Sequence, residues 1–348
     1  MRICFPFPRA ALVALLFLGA PQAFAQSCGD WVGGTVVLSG DLHCTSGWVA
    51  LGIGADGTTI DLNGHTISGA ASMFGLDVAG RDHVTIKGPG RIVGFDIGVR
   101  GGHGTNLRVE NVRFDSVTLA VSENHGHGIA IVNNEFVNIG STAVSIRTTP
   151  SHPRHSKDGL IEGNWFDGGE TAVELCGMNT YGYSVKNNRI TNQSVVAIKL
   201  WDEANNNTLF GNDVDFSHTA LGLYNARENH ITGERYTDGT IGIWAISRSR
   251  GPCATSGSTD VAYNTMERMS LFDLHTAVLF GGTGHGGWVL KNQLLGSKIY
   301  DNQRGVVLQS DTYGNVAVDN ALFGTVTPIL DSGIANETAP NYCDPPGC

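Results

Sequence analysis

The sequence has little charge and little that is typical of helices. Only 16% of its 348 residues are charged, and beyond the N-terminal segment no stretch keeps apolar residues at helical spacing for more than a turn or two. Helical bundles and doubly wound α/β folds are therefore excluded. Disorder is excluded as well, because 41% of the residues are hydrophobic and β-branched clusters recur along the chain.

A basic surface is also missing. The chain has 22 lysine and arginine residues against 32 acidic residues, which gives a formal net charge of -10. No stripe of Lys and Arg alternates with aromatic residues in the way that binding to a phosphate backbone requires. We therefore expect no nucleic acid among the partners of this protein.

The N-terminal segment has the order of a secretory signal. Arg2 and Arg9 precede the apolar run 10–20, and an Ala-x-Ala triplet ends at Ala25. The run is shorter than the ~20 residues that cross a bilayer. We expect residues 1–25 to be cleaved, no membrane span, and a secreted or periplasmic location.

Six cysteines remain once Cys4 is removed with the signal, an even number for an oxidising compartment. No Cys-x-x-Cys pair or matching histidine pair is present, so we expect disulfides, no metal site and no cofactor. The predicted pairs are Cys28–Cys44 and Cys343–Cys348, which are close in sequence, and Cys176–Cys253, which would pin an inserted loop.

What the sequence has in abundance is glycine, with 47 residues, and asparagine, with 25. Short apolar strands recur at Leu76–Val78, Ile97–Val99, Leu119–Val121, Val144–Ile146, Val173–Leu175, Ile198–Leu200, Leu221–Leu223, Ile241–Ile243, Val278–Phe280 and Val306–Leu308. A second element follows each strand, with an asparagine or its equivalent at Val112, Asn134, Asn164, Asn188, Asn212, Glu234, Asn264, Asn292 and Asn320. The spacing of roughly 24 residues indicates one repeating unit with loop insertions.

Such a unit cannot bury its apolar face alone, so successive coils must stack with their strands in parallel. The repeat predicts an all-β fold, a single-domain parallel β-helix of about ten coils. Its parts would be a disulfide-stapled cap at 26–50, the solenoid at 51–325 and a tail at 326–348. An antiparallel sandwich is disfavoured, because two-residue Asn-Gly hairpin turns are missing.

The segment Ala55–Ile67, with the region of Cys28 and Cys44 before it, resembles the opening coils of the secreted right-handed parallel β-helix proteins. This pectin-lyase-like group is similar in fold to polysaccharide lyases, polygalacturonases, mannuronan epimerases and periplasmic NosD-type proteins. The resemblance covers nearly the whole mature chain and implies a right-handed parallel β-helix. It marks a fold and not a reaction, so the function depends on the site residues.

The middle residue of each strand triplet and the residue after the triplet are expected to point outward, because strand side chains alternate. Stacking would align them in two columns. The first reads Asp77, Gly98, Ala120, Ser145, Glu174, Lys199, Gly222, Gly242, Leu279 and Val307. The second reads Ala79, Arg100, Ser122, Arg147, Cys176, Trp201, Tyr224, Trp244, Gly281 and Gln309. Its three aromatic residues on consecutive coils predict a stacking platform for sugar rings.

Two inserted loops, 148–158 and 247–260, lie four coils apart, about 19 Å at the strand spacing. Their basic residues are His152, Arg154, His155, Lys157, Arg248 and Arg250. An acidic protein that gathers cations at one cleft is expected to bind an anion. We therefore expect an acidic polysaccharide or oligosaccharide as the partner of a monomeric protein, bound in the groove between the loops. The substrate-binding candidates are Arg100, Trp201, Trp244, Arg248 and Arg250.

These residues suit cleavage of a uronate-containing glycan by β-elimination. The reaction needs cations that neutralise the carboxylate, a base that removes the C5 proton, and an acid or water for the leaving oxygen. Lys199 is the candidate base, with His152 or His155 as a substitute, and Tyr224 is the candidate acid. Arg147, with Arg100 or Arg248, would hold the carboxylate.

Glycoside hydrolysis is the second hypothesis, with Glu174 and Asp202 as the carboxylate pair. Glu123 or Asp158 would be the substitute carboxylate. Residues 126–128 match the Gly-His-Gly piece of polygalacturonases, but the tripeptide recurs twice and the Asn-Thr-Asp and Asp-Asp motifs are absent. A calcium-dependent lyase is disfavoured, because no aspartate cluster lies on the strand columns.

The third hypothesis is a non-catalytic glycan-binding or structural β-helix. Every residue of the predicted groove could bind a glycan without reacting. A NosD-type role in copper handling is disfavoured, because the methionines are scattered and the cysteines are expected to be paired.

Overall fold

The computed structural model describes residues 26–149, 155–249, 251, 253–254, 259–282 and 287–344. In these residues every regular element is a strand, and the strands pair in parallel. Each coil contributes one strand to a front sheet, one to a back sheet and one to a side sheet before the next coil begins. The predicted fold class, a single-domain parallel β-solenoid, is confirmed. Within the described residues no helix has the length and apolar character needed to cross a membrane.

The front sheet runs the length of the solenoid. Its strands are Asp30–Val32, Val49–Ile53, Phe74–Asp77, Ile97–Arg100, Leu119–Asn124, Thr142–Arg147, Trp165–Cys176, Arg189–Trp201, Thr219–Tyr224, Ile241–Ile246, Thr276–Phe280, Arg304–Leu308 and Thr327–Asp331. The two longest strands, Trp165–Cys176 and Arg189–Trp201, begin in the side sheet and continue into the front sheet, so the two sheets form one sheet of 24 strands.

The back and side sheets complete each coil. The back strands are Thr35–Val37, Thr59–Asp61, Thr85–Lys87, Arg108–Glu110, Ala130–Val132, Leu160–Glu162, Ser184–Lys186, Thr208–Phe210, His230–Thr232, Thr265–Glu267, Gln293–Leu295 and Val316–Val318. The remaining side strands are Leu42–His43, Thr66–Ser68, Arg91–Val93, Arg113–Asp115, Glu135–Val137, Asp213–Asp215, Arg235–Thr237, Ser270–Phe272, Lys298–Tyr300, Ala321–Phe323 and Tyr342–Asp344. Short strands at one corner are Ser156–Lys157, Thr180–Tyr181, Val261–Ala262, Val289–Leu290 and Thr312–Tyr313.

The solenoid has about 12 turns, because the back sheet has 12 strands and each comes from a different coil. The predicted number of about ten is therefore too low. The segments at both ends also form coils: Thr35–Val37 pairs with Thr59–Asp61, and Thr327–Asp331 pairs with Arg304–Leu308. Their strands are short or polar, so apolar triplets alone do not reveal them.

One apolar core fills the interior from end to end, because the inward position of each sheet is apolar in coil after coil. Along the side sheet, the rings of Phe114, Phe136 and Phe166 stack with centroids 5.1 and 4.6 Å apart. That spacing is the distance between paired strands. Packing of one ring therefore sets the position of the next.

Buried asparagine side chains form hydrogen-bonded ladders inside the turns. The Oδ1 atom of Asn188 accepts from the backbone N–H and the Nδ2 of Asn164, at 2.9 and 3.0 Å. Its Nδ2 atom donates to the Oδ1 of Asn212 and to the carbonyl of Ile161, both at 2.9 Å. Each amide thus satisfies backbone groups that the turn leaves unpaired, which buried polar groups require.

The asparagines form two ladders, so the predicted single column is wrong beyond Glu234. Asn264 and Asn292 belong to a second ladder, which includes Asn207 and Asn315. The first column continues instead at Met269, Ser297, Asn320 and Asn341. Both turns of a coil recur with the same period, so the spacing in the sequence does not tell them apart.

The residue before a ladder position takes a left-handed backbone conformation. Asn133 has φ 54° and Gly211 has φ 65°. Glycine adopts such angles without steric cost, and asparagine tolerates them better than most residues. The abundance of these two residues is therefore a requirement of the turns.

Glu234 occupies an asparagine position of the first ladder. The unbroken run of ladder hydrogen bonds ends at this residue. Its Oε1 atom accepts from the backbone N–H and the Nδ2 of Asn212, at 3.1 and 2.9 Å, and its Oε2 atom accepts from the hydroxyl of Tyr236 at 3.0 Å. Burial raises the pKa of Glu234 to about 8, although these hydrogen bonds oppose the shift. Below that pKa the buried side chain of Glu234 is mostly protonated and therefore neutral.

Replacement of Asn188 with alanine is expected to destabilise the solenoid strongly. The backbone N–H of Asn164 and the carbonyl of Ile161 lose their partners in the core, at a cost of about 1–3 kcal/mol for each orphaned group. The measurement is urea unfolding followed by circular dichroism. The control is Asn192→Ala, which removes one exposed hydrogen bond to Asp167; equal unfolding midpoints for the two variants would contradict the ladder's role.

Stability is expected to fall as the pH rises from about 5 to about 8, because folded Glu234 keeps a proton that the unfolded chain releases. Glu234→Gln, which is neutral at every pH, should weaken this dependence. The measurement is the melting temperature at a series of pH values. The control is Glu162→Gln on the back sheet. If the melting temperature of Glu234→Gln depends on pH as steeply as that of this control, the assignment is refuted.

Candidate functional site

The front sheet carries an outward column along the whole solenoid, here called the front column. Strand pairing aligns in it Trp31, Gly52, Asp77, Arg100, Ser122, Ser145, Glu174, Lys199, Gly222, Trp244, Leu279 and Val307. Two residues further along the strands lies the second column, with Asn124, Arg147, Cys176, Trp201, Tyr224 and Ile246. Residues far apart in the sequence therefore become neighbours on one face.

The predicted alignment of three aromatic residues in one column is wrong. Tyr224 pairs with Trp201 on one side but with Ile246 on the other, and Trp244 pairs with Gly222 in the front column. The prediction placed the strand of Trp244 two residues out of register. Because side chains alternate with a period of two, such a slip preserves the outward direction and changes only the neighbour on the next coil.

The same slip affects the N-terminal coils. Arg100 and Ser122 lie in the front column and not in the second. Gly98 and Ala120, which the repeat placed in the outward column, are buried. Arg100 is consequently in register with Glu174, three coils away.

Glu174 joins two cations from the neighbouring coils. Its Oε1 atom lies 2.7 Å from both Nε and Nη2 of Arg147, and its Oε2 atom accepts from the Nζ of Lys199 at 2.8 Å. The Lys199 Nζ also lies 3.5 Å from the ring centroid of Trp201. Because Glu174 is only 3% exposed, this ion triad is packed and not merely a surface contact.

The pKa values of Glu174 and Lys199 follow from burial and charge. Burial raises the pKa of Glu174, but the charges of Lys199 and Arg147 and their hydrogen bonds outweigh it, so the net shift is downward. Burial lowers the pKa of Lys199, the charges of Arg147 and Arg248 lower it further, and Glu174 opposes them. Lys199 therefore loses its proton more easily than a free lysine, while Glu174 stays ionised.

A third cation lies on the aromatic residues one coil further. The guanidinium carbon of Arg248 is 4.2 Å from the ring centroid of Tyr224 and 4.7 Å from that of Trp244. Tyr224 is 2% exposed and folds back across Gly222, where a Cβ would meet its ring at 2.6 Å. Burial raises the pKa of Tyr224 to about 12. Tyr224 thus forms the floor of the site, whereas Trp201 and Trp244 are half-buried.

Asp202 anchors the second inserted loop. Its Oδ1 accepts from the N–H of Gly251 at 3.0 Å and its Oδ2 from the N–H of Cys253 at 3.2 Å. Gly251 lies so close to Trp201 that a Cβ would meet the indole at 2.1 Å. Burial raises the pKa of Asp202, and the two backbone hydrogen bonds oppose this shift. The sequence indicates a carboxylate here but does not reveal that it is covered by the loop.

Two of the three predicted disulfides are present, Cys28–Cys44 and Cys176–Cys253. The third prediction involves Cys348, which lies outside the described residues. Cys176–Cys253 spans 77 residues and fixes the second loop to the strand of Glu174. It holds the loop beside the ion triad, as expected for a groove wall.

Among the described residues one group of three potential metal ligands comes together, formed by Cys176, Asp202 and Cys253. Both sulfur atoms are bonded to each other, and both carboxylate oxygens accept backbone N–H groups. Since the thiolate is the form that binds metals, the disulfide-bonded group lacks its two best ligands.

The first inserted loop is described only in part. His152 and Arg154 lie outside the described residues, and so does Arg250 of the second loop. The ring of His155 contacts Tyr181 edge-on at 5.6 Å between centroids. In the described part of the chain, no recorded contact joins His155 to the ion triad.

The two substitute carboxylates lie away from the triad. Lys157 pairs with Asp158 at 3.6 Å on the exposed corner. Glu123 points inward, is 2% exposed, and its Oε1 atom has no hydrogen-bond partner among the described residues. Burial raises the pKa of Glu123 to about 8. It is therefore a core residue rather than a groove residue.

The sequence also failed to reveal an aromatic cluster at the N-terminal end of the front sheet. The ring centroids of Trp31 and Trp48 are 6.0 Å apart, and those of Trp48 and Phe74 are 6.1 Å apart. Arg100 lies over Phe74 at 5.1 Å and forms an ion pair with Asp77 at 3.2 Å. The tryptophans are visible in the sequence, but only the coil-to-coil register brings them together.

Known structures similar to this chain are parallel β-helix proteins that handle carbohydrates. The A-module of a mannuronan C-5 epimerase from Azotobacter vinelandii is 11% identical, with a TM-score of 0.63, over 88% of this chain and 91% of that module. The catalytic domain of a GH87 α-1,3-glucanase in complex with nigerose is 12% identical, with a TM-score of 0.69, over 97% of this chain and 70% of its own. At these identities the likeness shows the fold alone.

A tailspike protein from the E. coli bacteriophage HK620, in complex with a pentasaccharide, is 10% identical with a TM-score of 0.57, over 84% of this chain and 64% of its own. No curated protein matches the sequence significantly. The family model described as periplasmic copper-binding protein (NosD) matches residues 84–266, just over half of the chain.

Removal of the Glu174 charge is expected to lower the pKa of Lys199 further, because the carboxylate is what opposes burial and the arginines. In Glu174→Gln, Lys199 should therefore become acetylated by acetic anhydride at lower pH than in the parent protein. Mass spectrometry of the peptides, over a series of pH values, measures the midpoint. The control is Glu162→Gln, whose partner is Lys186; an unchanged Lys199 midpoint in Glu174→Gln would contradict the coupling.

Proposed function

The chain belongs to the NosD family of periplasmic proteins, and from the geometry and charge of its front face we propose that it is a lyase that cleaves an acidic, uronate-containing glycan by β-elimination. The disulfides and the family description fit an extracellular or periplasmic location. The proposed site is the front face between the two inserted loops.

The observation that carries the proposal is the excess of cations at this site. Arg147 and Lys199 pair with the carboxylate of Glu174, and the charge of Arg248 acts on Lys199, on a protein with a formal net charge of -10. A local excess of positive charge in a groove attracts an anionic ligand. Beside the cations, the half-buried rings of Trp201 and Trp244 offer apolar faces on which the C–H groups of a sugar can stack. Cations next to aromatic rings match a sugar that carries a carboxylate.

The family description also implies copper, and the one cluster of three His, Cys, Asp or Glu ligands found among the described residues does not fit it. This cluster, formed by Cys176, Asp202 and Cys253, has both sulfur atoms in a disulfide. Soft copper sites need thiolate, thioether or imidazole ligands. The proposed reaction therefore uses side chains of this chain alone.

In the proposed reaction, Arg147 and Arg248 neutralise the substrate carboxylate and so make the C5 proton more acidic. Lys199 removes that proton, and its lowered pKa increases the fraction of neutral amine at neutral pH. An arriving carboxylate competes with Glu174 for the same cations.

The leaving oxygen of the glycan needs a proton when the bond to C4 breaks. Tyr224 is the candidate donor, because its pKa of about 12 keeps the phenol protonated. It lies beneath Arg248 and Trp244, so in this role the arginine must move when it takes the carboxylate. Water is the alternative donor. His152 or His155 stays the substitute base, and Arg250 stays a candidate for binding the glycan.

Hydrolysis is the second candidate function, favoured by one observation. The pKa of Asp202 is raised and that of Glu174 is lowered, and carboxyl groups whose pKa values diverge are typical of an acid and base pair. Against it, both oxygens of Asp202 accept backbone hydrogen bonds from the loop that covers it. Binding without catalysis is the third candidate, because the Lys199–Glu174 ion pair serves a structural role equally well.

The test is incubation of the purified protein with polymers of galacturonate, glucuronate, mannuronate and guluronate. Elimination leaves a C4–C5 double bond conjugated to the carboxylate, which absorbs in the ultraviolet. Lys199→Ala should lose about 10²-fold or more in rate, and Lys199→Arg should not restore it, because arginine keeps the ion pair but cannot act as a base. The control is Lys298→Ala on the side sheet.

Each result separates the hypotheses. Full activity in Lys199→Ala would remove this residue as the base. New reducing ends without ultraviolet absorbance, lost in Glu174→Gln, would replace elimination by hydrolysis. Binding of a polymer with neither product would leave a glycan-binding module, and no binding to any polymer would refute the carbohydrate proposal altogether.

A further inference from the structure

We propose that Trp31, Trp48 and Phe74, with Arg100 and Asp77 at their edge, form a distal subsite that binds another segment of the same acidic glycan. This inference rests on the proposed function, because it assigns the same ligand to a second part of the same face. The cluster is named here the N-terminal aromatic cluster.

The exposure of this cluster is the first argument. Trp31 and Trp48 are 55% and 51% exposed, yet their rings contact each other, and the ring of Trp48 also contacts Phe74. Exposed aromatic residues that group into a patch mark a binding surface more often than isolated ones do. The core beneath them is already closed by Leu51 and Leu76, so the indoles are not needed to complete it.

The backbone accommodates this arrangement at one position. The indole of Trp31 lies across Gly52 on the next coil, where a Cβ would approach the ring to 2.5 Å. Any larger residue at Gly52 would push the indole away from the sheet. The glycine thus lets Trp31 lie flat on the front column with one face free.

Continuity with the proposed catalytic groove is the second argument. Trp31 and Lys199 are in the same front column, separated by seven coil-to-coil steps, or about 34 Å at the strand spacing. Between Arg100 and Glu174 the column contains only Ser122, which is half-buried, and Ser145, which is buried. The column therefore has no large side chain over these two coils.

Charge is the third argument. Arg100 lies over Phe74 and pairs with Asp77, so its position repeats the pairing of Lys199 with Trp201 and Glu174. Both places combine an aromatic ring with a cation and a carboxylate of the front column. A polymer with a carboxylate on each sugar would meet a similar environment at both ends of the groove, which a neutral glycan or an apolar peptide would not use.

The occupant is therefore a polyuronate segment rather than a second copy of this protein. A site at this distance acts on the affinity for long chains and leaves the chemistry at Lys199 unchanged. The double variant Trp31→Ala/Trp48→Ala is expected to bind polymer at least tenfold more weakly, with an unchanged affinity for a disaccharide. Trp165→Ala is the matched control, because Trp165 is 41% exposed and belongs to the part of its strand that lies in the side sheet.

The experiment measures affinity by calorimetry for a polyuronate and for its disaccharide, with circular dichroism to verify folding. A second readout is oxidation of tryptophan by N-bromosuccinimide, followed by peptide mass spectrometry. Polymer should protect Trp31 and Trp48 of the parent protein and leave Trp165 reactive. If the double variant fails to fold, the protection pattern of the parent protein still decides the question.

The outcomes distinguish this inference from the proposed function. Polymer binding that is equal in the parent and the double variant, without protection of Trp31, overturns the subsite and leaves the lyase proposal standing. Weakened binding without any cleavage product supports the subsite and removes the lyase. No binding by the parent protein overturns both. A concentration-dependent dimer that the double variant loses, at constant glycan affinity, assigns the surface to a second copy.

Discussion

The interaction on which the whole structure depends is the register of each coil on the next. Backbone hydrogen bonds between parallel strands set the spacing, and buried asparagine ladders lock the turns at the same height. One slipped coil would move every side chain of that coil to a new neighbour. Buried polar groups therefore lie in the turns. There the backbone N–H of Asn188 and that of Asn292 each donate to an asparagine of the next coil.

The candidate site is a consequence of that register. Arg147, Glu174 and Lys199 lie on three successive coils, and stacking places their charged groups within hydrogen-bonding distance without any special loop. The same triad has two effects: it stabilises the buried carboxylate, and it sets how readily Lys199 gives up its proton. The inserted loop adds the remaining wall, because Asp202 and the Cys176–Cys253 disulfide hold it against the sheet.

Most of the fold could be predicted from the repeat, and the site only in part. The recurring apolar strands indicated a parallel solenoid, and the alternation of strand side chains put Glu174, Lys199 and Trp201 correctly on the outer surface. The register of individual coils was harder to predict from the sequence, because a slip of two residues preserves the pattern of inward and outward positions. Trp244 was therefore given the wrong neighbours.

The sequence by itself determined that the chain stacks in coils and, at most strand positions, which side chains face outward. These properties follow from local periodicity and composition. Only the tertiary structure decided which outward residues meet. Glu123 faces the core, Asp202 lies under a loop, and Trp31 joins Trp48 at the far end of the front face. The physical reason is that contact between coils depends on inter-strand register, which is fixed by hydrogen bonds between residues more than 20 positions apart.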